Sequence, residues 1–394
     1  MKSVRSNRAF TLVEIMLAIS VLVILMVTVV GILEATQRTW RKSKATVSEY
    51  RDARLAFDLI STNLSQAMLN SYYDYYYTGS VFPYNKVPAA NPNALPDAFQ
   101  RMSELRFISG PATSYLSAPS SPSVLSTHGV FFQVASGSIS TAGAASLVSS
   151  GFPASNQYNL LNNLLCARGY FVLFGDDSAN RPSFITPALV PVRYRYRLME
   201  YRPPAEQNQV YNPFVQGSAA DYSWFNTAAT KALTTGDPTF GNTRVVADNI
   251  IAMIVSPRAS TSMTNAAGQT NTYYIAPNYI YNSASFDNSS TTPTQAQLTA
   301  GKLSQGTQHV LPPIVTITLV AIDEASAINL AVKYDPGNTG VIPLPSAVTT
   351  ILNSQFTNVA NYDKDMASLT SALTAANISY RVFSTSIQMR ESKN

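Results

Sequence analysis

The sequence predicts an α+β protein. A long N-terminal α-helix, membrane-spanning in its first half and amphipathic in its second, packs on a mainly antiparallel β-sheet head with long loops. Three observations predict it. No Pro occurs before Pro83, and Gly31 is the only Gly before Gly79, so no helix breaker interrupts the first part of the chain. Apolar residues there recur at steps of three, four and seven, the helical period. After Asn70 the pattern changes to short β-branched and aromatic runs separated by Ser-, Thr- and Asn-rich stretches.

The first element is a run from Phe10 to Leu33, 24 residues with one charge, Glu14. As a helix it spans ~36 Å, enough to cross a bilayer core of ~30 Å. It is longer than a secretory signal core, which has ~7–15 apolar residues, and no small-x-small cleavage site closes it. A carboxylate inside such a span costs ~2.5–3.5 kcal/mol at the helix centre and less near an end, and calls for a partner. The positive-inside rule does not orient the span: Lys2, Arg5 and Arg8 lie before it, and Arg38, Arg41, Lys42 and Lys44 after it.

A basic leader ending in Ala9, then Phe10-Thr11-Leu12-Val13-Glu14 and an apolar helix, resembles the class III signal of type IV pilins and type II secretion pseudopilins. The family's usual Gly before the cut is Ala9 here. The resemblance implies removal of residues 1–9 by prepilin peptidase, with cleavage between Ala9 and Phe10 and N-methylation of Phe10. It implies that Glu14 pairs with the amino terminus of an adjacent subunit during assembly. It also implies a single-pass protein of the bacterial inner membrane, with its head in the periplasm or, after assembly, outside the cell. The reading from residues alone leaves a plain uncleaved anchor open.

The composition fits this layout. The chain has 394 residues, 46% hydrophobic and 10% aromatic, which excludes disorder throughout. Charged residues are 12%, about half the usual ~25%; the span, with one charge in 24 residues, is part of the reason. The net charge of +5 falls to +2 without Lys2, Arg5 and Arg8, so no nucleic-acid partner is expected. The single Cys166 excludes an intramolecular disulfide and a Cys-based zinc site.

Beyond the span, Trp40, Val47, Tyr50, Phe57, Leu64 and Met68 share a stripe, with Ala53 and Ile60 between them. Residues 34–70 therefore read as the amphipathic continuation of one helix from Phe10 to Asn70. Two helices jointed at Gly31 are the alternative. Arg54–Ile60 and Leu64–Ala67 resemble the half-helix of J-type minor pseudopilins. Arg168–Val172, Arg193–Glu200, Asp248–Ala252, Leu311–Val315, Ala321–Ala327 and Tyr380–Ser384 resemble the Verru_Chthon cassette protein C family.

Residues 71–394 read as the head. Strands are expected at Glu104–Ser109, Gly129–Ala135, Arg168–Phe174, Val192–Tyr201, Arg244–Ser256, Tyr273–Tyr281, Ile314–Ile322 and Ser379–Met389. Short helices are expected at Asn159–Leu165, Asp323–Val332, Ala347–Asn353 and Asp363–Ala375. Ser109–Thr127, Ser136–Ser150 and Pro257–Gln308 read as surface loops, with loop insertions near 109–157 and 257–310. Tyr72–Tyr77 reads as an aromatic loop packed over the helix end. In Val192–Leu198, Arg193, Arg195 and Arg197 form one face, read as solvated rather than as a nucleic-acid surface.

No catalytic constellation is present in the sequence, so the chain is expected not to be an enzyme. His128 and His309 fall in polar surroundings and outside any metal-ligand spacing, and read as exposed loop residues. Asp176-Asp177 and Asp323-Glu324 could offer oxygens to Ca²⁺ but lack the spacing of a calcium loop. Asp323 reads better as a helix N-cap. Cys166 reads as a buried, inert thiol. No metal or cofactor is expected. The resemblance implies prepilin peptidase, other pilin or pseudopilin subunits and the membrane as partners. It implies a minor pseudopilin of a type II secretion system or type IV pilus-like filament. A minor pilin with an adhesive or DNA-uptake head is the alternative.

Overall fold

The computed structural model describes residues 12–77, 87–88, 90–117, 119, 123–136, 139, 164–177, 181–182, 184–186, 189–190, 192–208, 224–233, 237, 239–259, 263–264, 270–272, 275–285, 306–332 and 344–391. Of residues 41, 42, 44–49, 206, 263, 264, 270–272, 331 and 332 only the backbone is described. The chain divides into two compact units, Met1–Arg51 and Asp52–Asn394.

Helix α1, Leu12–Ser65, supplies the described residues of the first unit and opens the second. It is helical through Gly31, where a Cβ would meet nothing within 4 Å, so the jointed alternative does not apply. In the second unit its last turns bury Ala53, Ala56, Phe57, Ile60 and Leu64. The expected stripe is therefore a packing face from Ala53 onward, whereas Trp40 is 60% exposed. The helix ends five residues before the expected Asn70. Its carbonyls are taken up by tightened bonds from Gln66 N to Asn63 O and from Ala67 N to Leu64 O, and Met68 N then turns to Gln133 O at 3.0 Å.

Strands β1 (Tyr72–Tyr76) and β2 (Ala98–Met102) form an antiparallel ribbon, so the tyrosine run is a strand rather than a loop. Its odd face carries the exposed Tyr73, Tyr75 and Phe99, while Gln100 and Met102 are buried on the other. Strand β3 is Ile108–Pro111 and not Glu104–Ser109. Upstream of it the backbone bonds to side chains instead of a ladder: Leu105 N donates to Ser103 Oγ, Arg106 N to Gln133 Oε1 and Phe107 N to Ser283 Oγ.

A one-turn helix α2 (Ala112–Tyr115) and strand β4 (Val124–Ala135) occupy much of the expected loop 109–127. Strands β5 (Leu165–Gly175), β6 (Arg195–Tyr201) and β7 (Thr243–Asp248) follow. Leu165 opens β5, which contradicts a helix ending there, and 159–163 lie outside the described residues. The one-turn helix α3 is Ala228–Lys231. The expected single strand Arg244–Ser256 is two, β7 and β8 (Ile250–Arg258), because Asn249 takes a positive φ of 62° and turns the chain from one sheet to another.

Short strands β9 (Met263–Thr264) and β10 (Thr270–Thr272) pair with each other, inside the expected loop 257–308. In the expected strand Tyr273–Tyr281, residues 275–280 form turns, with Tyr279 at φ 65°, and only β11 (Tyr281–Asn282) pairs. Tyr273 and Tyr274 lie outside the described residues. Strands β12 (Ile314–Ile322) and β13 (Tyr380–Gln388) and helices α4 (Glu324–Val332), α5 (Ser346–Ser354) and α6 (Tyr362–Ala375) complete the fold close to their expected ranges. The Asp323 carboxylate caps α4, accepting from Ser326 N at 2.9 Å.

All strand pairs are antiparallel within a six-stranded sheet, β11-β3-β4-β5-β6-β7, and a three-stranded sheet, β13-β12-β8. One core cluster joins Ile108, Tyr115, Phe131, Phe171, Trp224 and Phe225. Phe131 stacks on Phe225 with ring centroids 3.9 Å apart, while Trp224 meets both edge-on. Gly169 lies opposite Phe131 in the β4–β5 ladder, and a Cβ on it would come within 2.2 Å of the ring. The absent side chain is what lets that ring lie flat over β5.

Strand β8 would present a bare edge, and β4 seals it with side chains. The β4–β5 register breaks between Ser126 and Gly129, and Thr127 takes φ 52°. The bulge re-aims three consecutive side chains at alternate residues of β8. Ser126 Oγ donates to Ile251 O, Met253 N donates to Thr127 Oγ1, and Val255 N donates to His128 Nδ1. A free strand edge is a template for unwanted pairing, and these three bonds occupy it.

Candidate membrane and assembly helix

Leu12–Trp40 is apolar enough to cross a membrane, 29 residues with a mean hydropathy of 3.0 in its most apolar window and none of that window buried. Among its large apolar side chains up to Leu33, exposure runs from 50% at Val21 to 74% at Leu12. A core helix of a water-soluble fold buries such residues, and an apolar surface this continuous calls for lipid or other helices.

The hydroxyls of Ser20, Thr28 and Thr36 are satisfied within the span. Ser20 Oγ donates to Leu17 O and Thr28 Oγ1 to Leu25 O, each at 2.8 Å, and Thr36 Oγ1 donates to Ile32 O. Such back-bonding leaves no hydroxyl needing water, as the bilayer interior requires. Beyond Leu33, Glu34 and Arg38 pair at 3.7 Å, both largely exposed, which contributes little to stability.

Glu14 stands in the first turn of α1, on the exposed apolar surface with Ile15, Ala18 and Ile19 close by. Ala9 and Phe10, the expected processing pair, lie outside the described residues.

The other sequence-derived candidates fall in the head, and several need correction. His128 and His309 are not exposed loop residues; both are buried. His128 sits inside the β4 bulge. Its Nδ1 accepts the Val255 N–H, so Nε2 carries the proton and donates to Phe356 O at 3.2 Å. Burial holds this imidazole down at about 4, against the bond to Phe356 O, which favours the charged ring. His309 is held down to about 3 by burial and by the positive charges of Arg106 and Arg101.

The expected arginine face is solvated at Arg193, which precedes β6, but not at the two arginines within the strand. Arg195 and Arg197 are buried, Arg195 pairing with Glu324 at 2.5 Å and Arg197 with Asp248 at 3.0 Å. The chain crossing at Asn249 covers that face: Asn249 N donates to Tyr196 O, and Asn249 Nδ2 to Glu324 Oε2. Buried guanidinium groups persist only when paired in this way.

Asp177 pairs with Arg181 and accepts from Arg193 N. Burial raises its carboxyl, but the bonds from Arg181 and Arg193 outweigh that and hold it low. Among the described residues no group of three His, Cys, Asp or Glu side chains could hold a metal ion. Cys166 is buried in β5, as expected.

The sequence reading missed the β8 seal and the crossing at Asn249. The signal available for the first was Ser126-Thr127-His128 at the head of an apolar strand, where polar side chains can serve a neighbouring backbone. For the second it was Asp248-Asn249, since Asn tolerates a positive φ. Comparison with family models, with curated proteins and with solved structures returns no match.

Proposed function

We propose that this chain is a prepilin-like minor pseudopilin. It is cut between Ala9 and Phe10, N-methylated at Phe10, and held in the bacterial inner membrane by a single span until it joins a type II secretion pseudopilus or type IV pilus-like filament. The observation that carries this reading is an exposed apolar helix with one carboxylate, Glu14, in its first turn. The leader residues add to it.

The mechanism is assembly. Lipid covers the apolar helix before incorporation. In the filament, helices of neighbouring subunits replace that lipid, and the Glu14 carboxylate meets the α-amino group of an adjacent Phe10. The ion pair forms in a medium of low dielectric, where an unpartnered carboxylate is costly, so correct axial placement of the incoming subunit is favoured. The head is carried on the filament as a folded module.

Mass spectrometry of the mature N-terminus tests the reading. N-methyl-Phe10 is the expected result, and an intact Met1 on the membrane-bound protein overturns it.

A further inference from the structure

Just past the end of α1 lies a cavity of ≈450 Å³. Its charged wall is Arg101 from β2 and Arg390 and Glu391 after β13, the neutral His309 lies among them, and Leu69 and Leu311 supply aliphatic surface. The volume suits a small ligand, since such clefts measure ~300–1,000 Å³.

Arg101, His309 and Glu391 are held in place before anything binds. Arg101 donates from Nε and Nη2 to Gln308 O at 3.0 and 2.8 Å, which orients the guanidinium plane. His309 takes a positive φ of 54°, a conformation non-Gly residues adopt at a cost. Its backbone is clamped on both sides: His309 N donates to Ser283 O, and His309 O accepts from Ser71 Oγ. The His309 side chain is more than nine-tenths buried, and its Nδ1 has no hydrogen-bond partner among the described residues. Glu391 is already engaged, its Oε2 accepting from Leu69 N at 3.1 Å. Arg390 is exposed and forms no ion pair with the described residues. Two guanidinium groups against one committed carboxylate leave the wall net positive. A planar guanidinium matches carboxylate and phosphate oxygens in a bidentate manner.

We infer that this cavity binds the oxyanion group, carboxylate or phosphate, of a small organic ligand, with Arg101 and Arg390 as its cationic wall, His309 as a hydrogen-bonding partner and the leucines against the ligand's carbon frame. The inference does not rest on the filament role.

The chain has two histidines, which makes a clean test. The full-length protein in detergent micelles, labelled at histidine, is titrated with phosphate and with acetate while the imidazole resonances are followed, and His309→Gln assigns them. Chloride at matched ionic strength is the control. The His309 signal is expected to move and saturate with at least one oxyanion, while His128, enclosed between the sheets, stays put. Saturation by phosphate alone assigns a phosphoryl ligand, and saturation by acetate assigns a carboxylate. Arg390→Ala, an exposed change, is expected to raise the midpoint by about tenfold. The inference is overturned if neither oxyanion saturates, if chloride moves His309 equally, or if Arg390→Ala leaves the midpoint unchanged.

Discussion

Asn63, near the end of α1, donates from Nδ2 to the hydroxyl of Tyr170 on β5 at 2.6 Å, joining residues 107 positions apart. The Tyr170 hydroxyl passes its own proton bond to Glu200 Oε1 at 2.7 Å, and Arg168 Nη1 pairs with the same oxygen. Burial first, and the Glu200 charge next, push the Tyr170 hydroxyl far above its ordinary value, so it stays a donor throughout the working pH range. The last turn of the long helix is thereby tied to the sheet by a satisfied polar chain within an apolar contact.

Breaking that chain is expected to cost more than an exposed hydrogen bond. Asn63→Ala and Tyr170→Phe should each destabilise the head by ~1–3 kcal/mol, and the double variant should lose less than the sum. Urea unfolding of the full chain in micelles, followed by tryptophan fluorescence, measures this. Strict additivity would show that the two side chains do not act together.

The His128 bridge makes stability depend on pH. Its folded value of about 4 lies below the unfolded value of 6.5. The unfolded chain therefore binds the proton more readily, and the stabilisation present above pH ~6.5 is lost as pH falls toward ~4. The loss is expected to be ~3 kcal/mol, since a tenfold difference in proton affinity between the folded and unfolded chains is worth ~1.4 kcal/mol. Protonation removes the Nδ1 acceptor for Val255 N. His128→Phe should be less stable at pH 7 and should show a shallower pH slope than the parent chain. An equal slope in both would assign the pH dependence to other groups.

Gly169→Ala tests the flat packing of Phe131. The added methyl would lie 2.2 Å from the ring, so Phe131 must leave its stack with Phe225. Overpacking of this kind costs ~1–3 kcal/mol. Thermal unfolding should show a lowered midpoint, partly recovered by Phe131→Leu in the same chain. A midpoint unchanged by Gly169→Ala would mean that β5 yields at no cost.

Glu14→Ala and Glu14→Leu separate membrane insertion from assembly. Both remove a charge from an apolar span, so insertion should be unaffected or improved. Incorporation into filaments, measured by shearing and immunoblotting cells that express the assembly machine, is expected to fall. Normal incorporation of both variants would count against a pairing role for Glu14.

Much of the architecture was legible in the chain because its signals are local. The absence of Pro and the long apolar period mark α1, and β-branched alternation marks β5, β12 and β13 within a few residues. Reading failed where tertiary partners replaced local ones. Residues 104–107 look like a strand, yet their N–H groups find side chains of Gln133 and Ser283. Arg195 and Arg197 look like a wet face, yet Glu324 and Asp248 arrive from distant segments and make burial tolerable. For the apolar helix, Glu14 and the span were legible from charge and length alone.

By itself the sequence determined that one apolar helix opens the chain with a lone carboxylate near its start, because hydropathy and helical period need no partner to be read. It also determined a β-rich head. Tertiary structure alone decided that β7 and β8 belong to different sheets, that His128 seals a strand edge, and that α1 ends at Ser65. Each of these depends on a hydrogen bond to a residue far along the chain, and such bonds exist only once the sheets have formed.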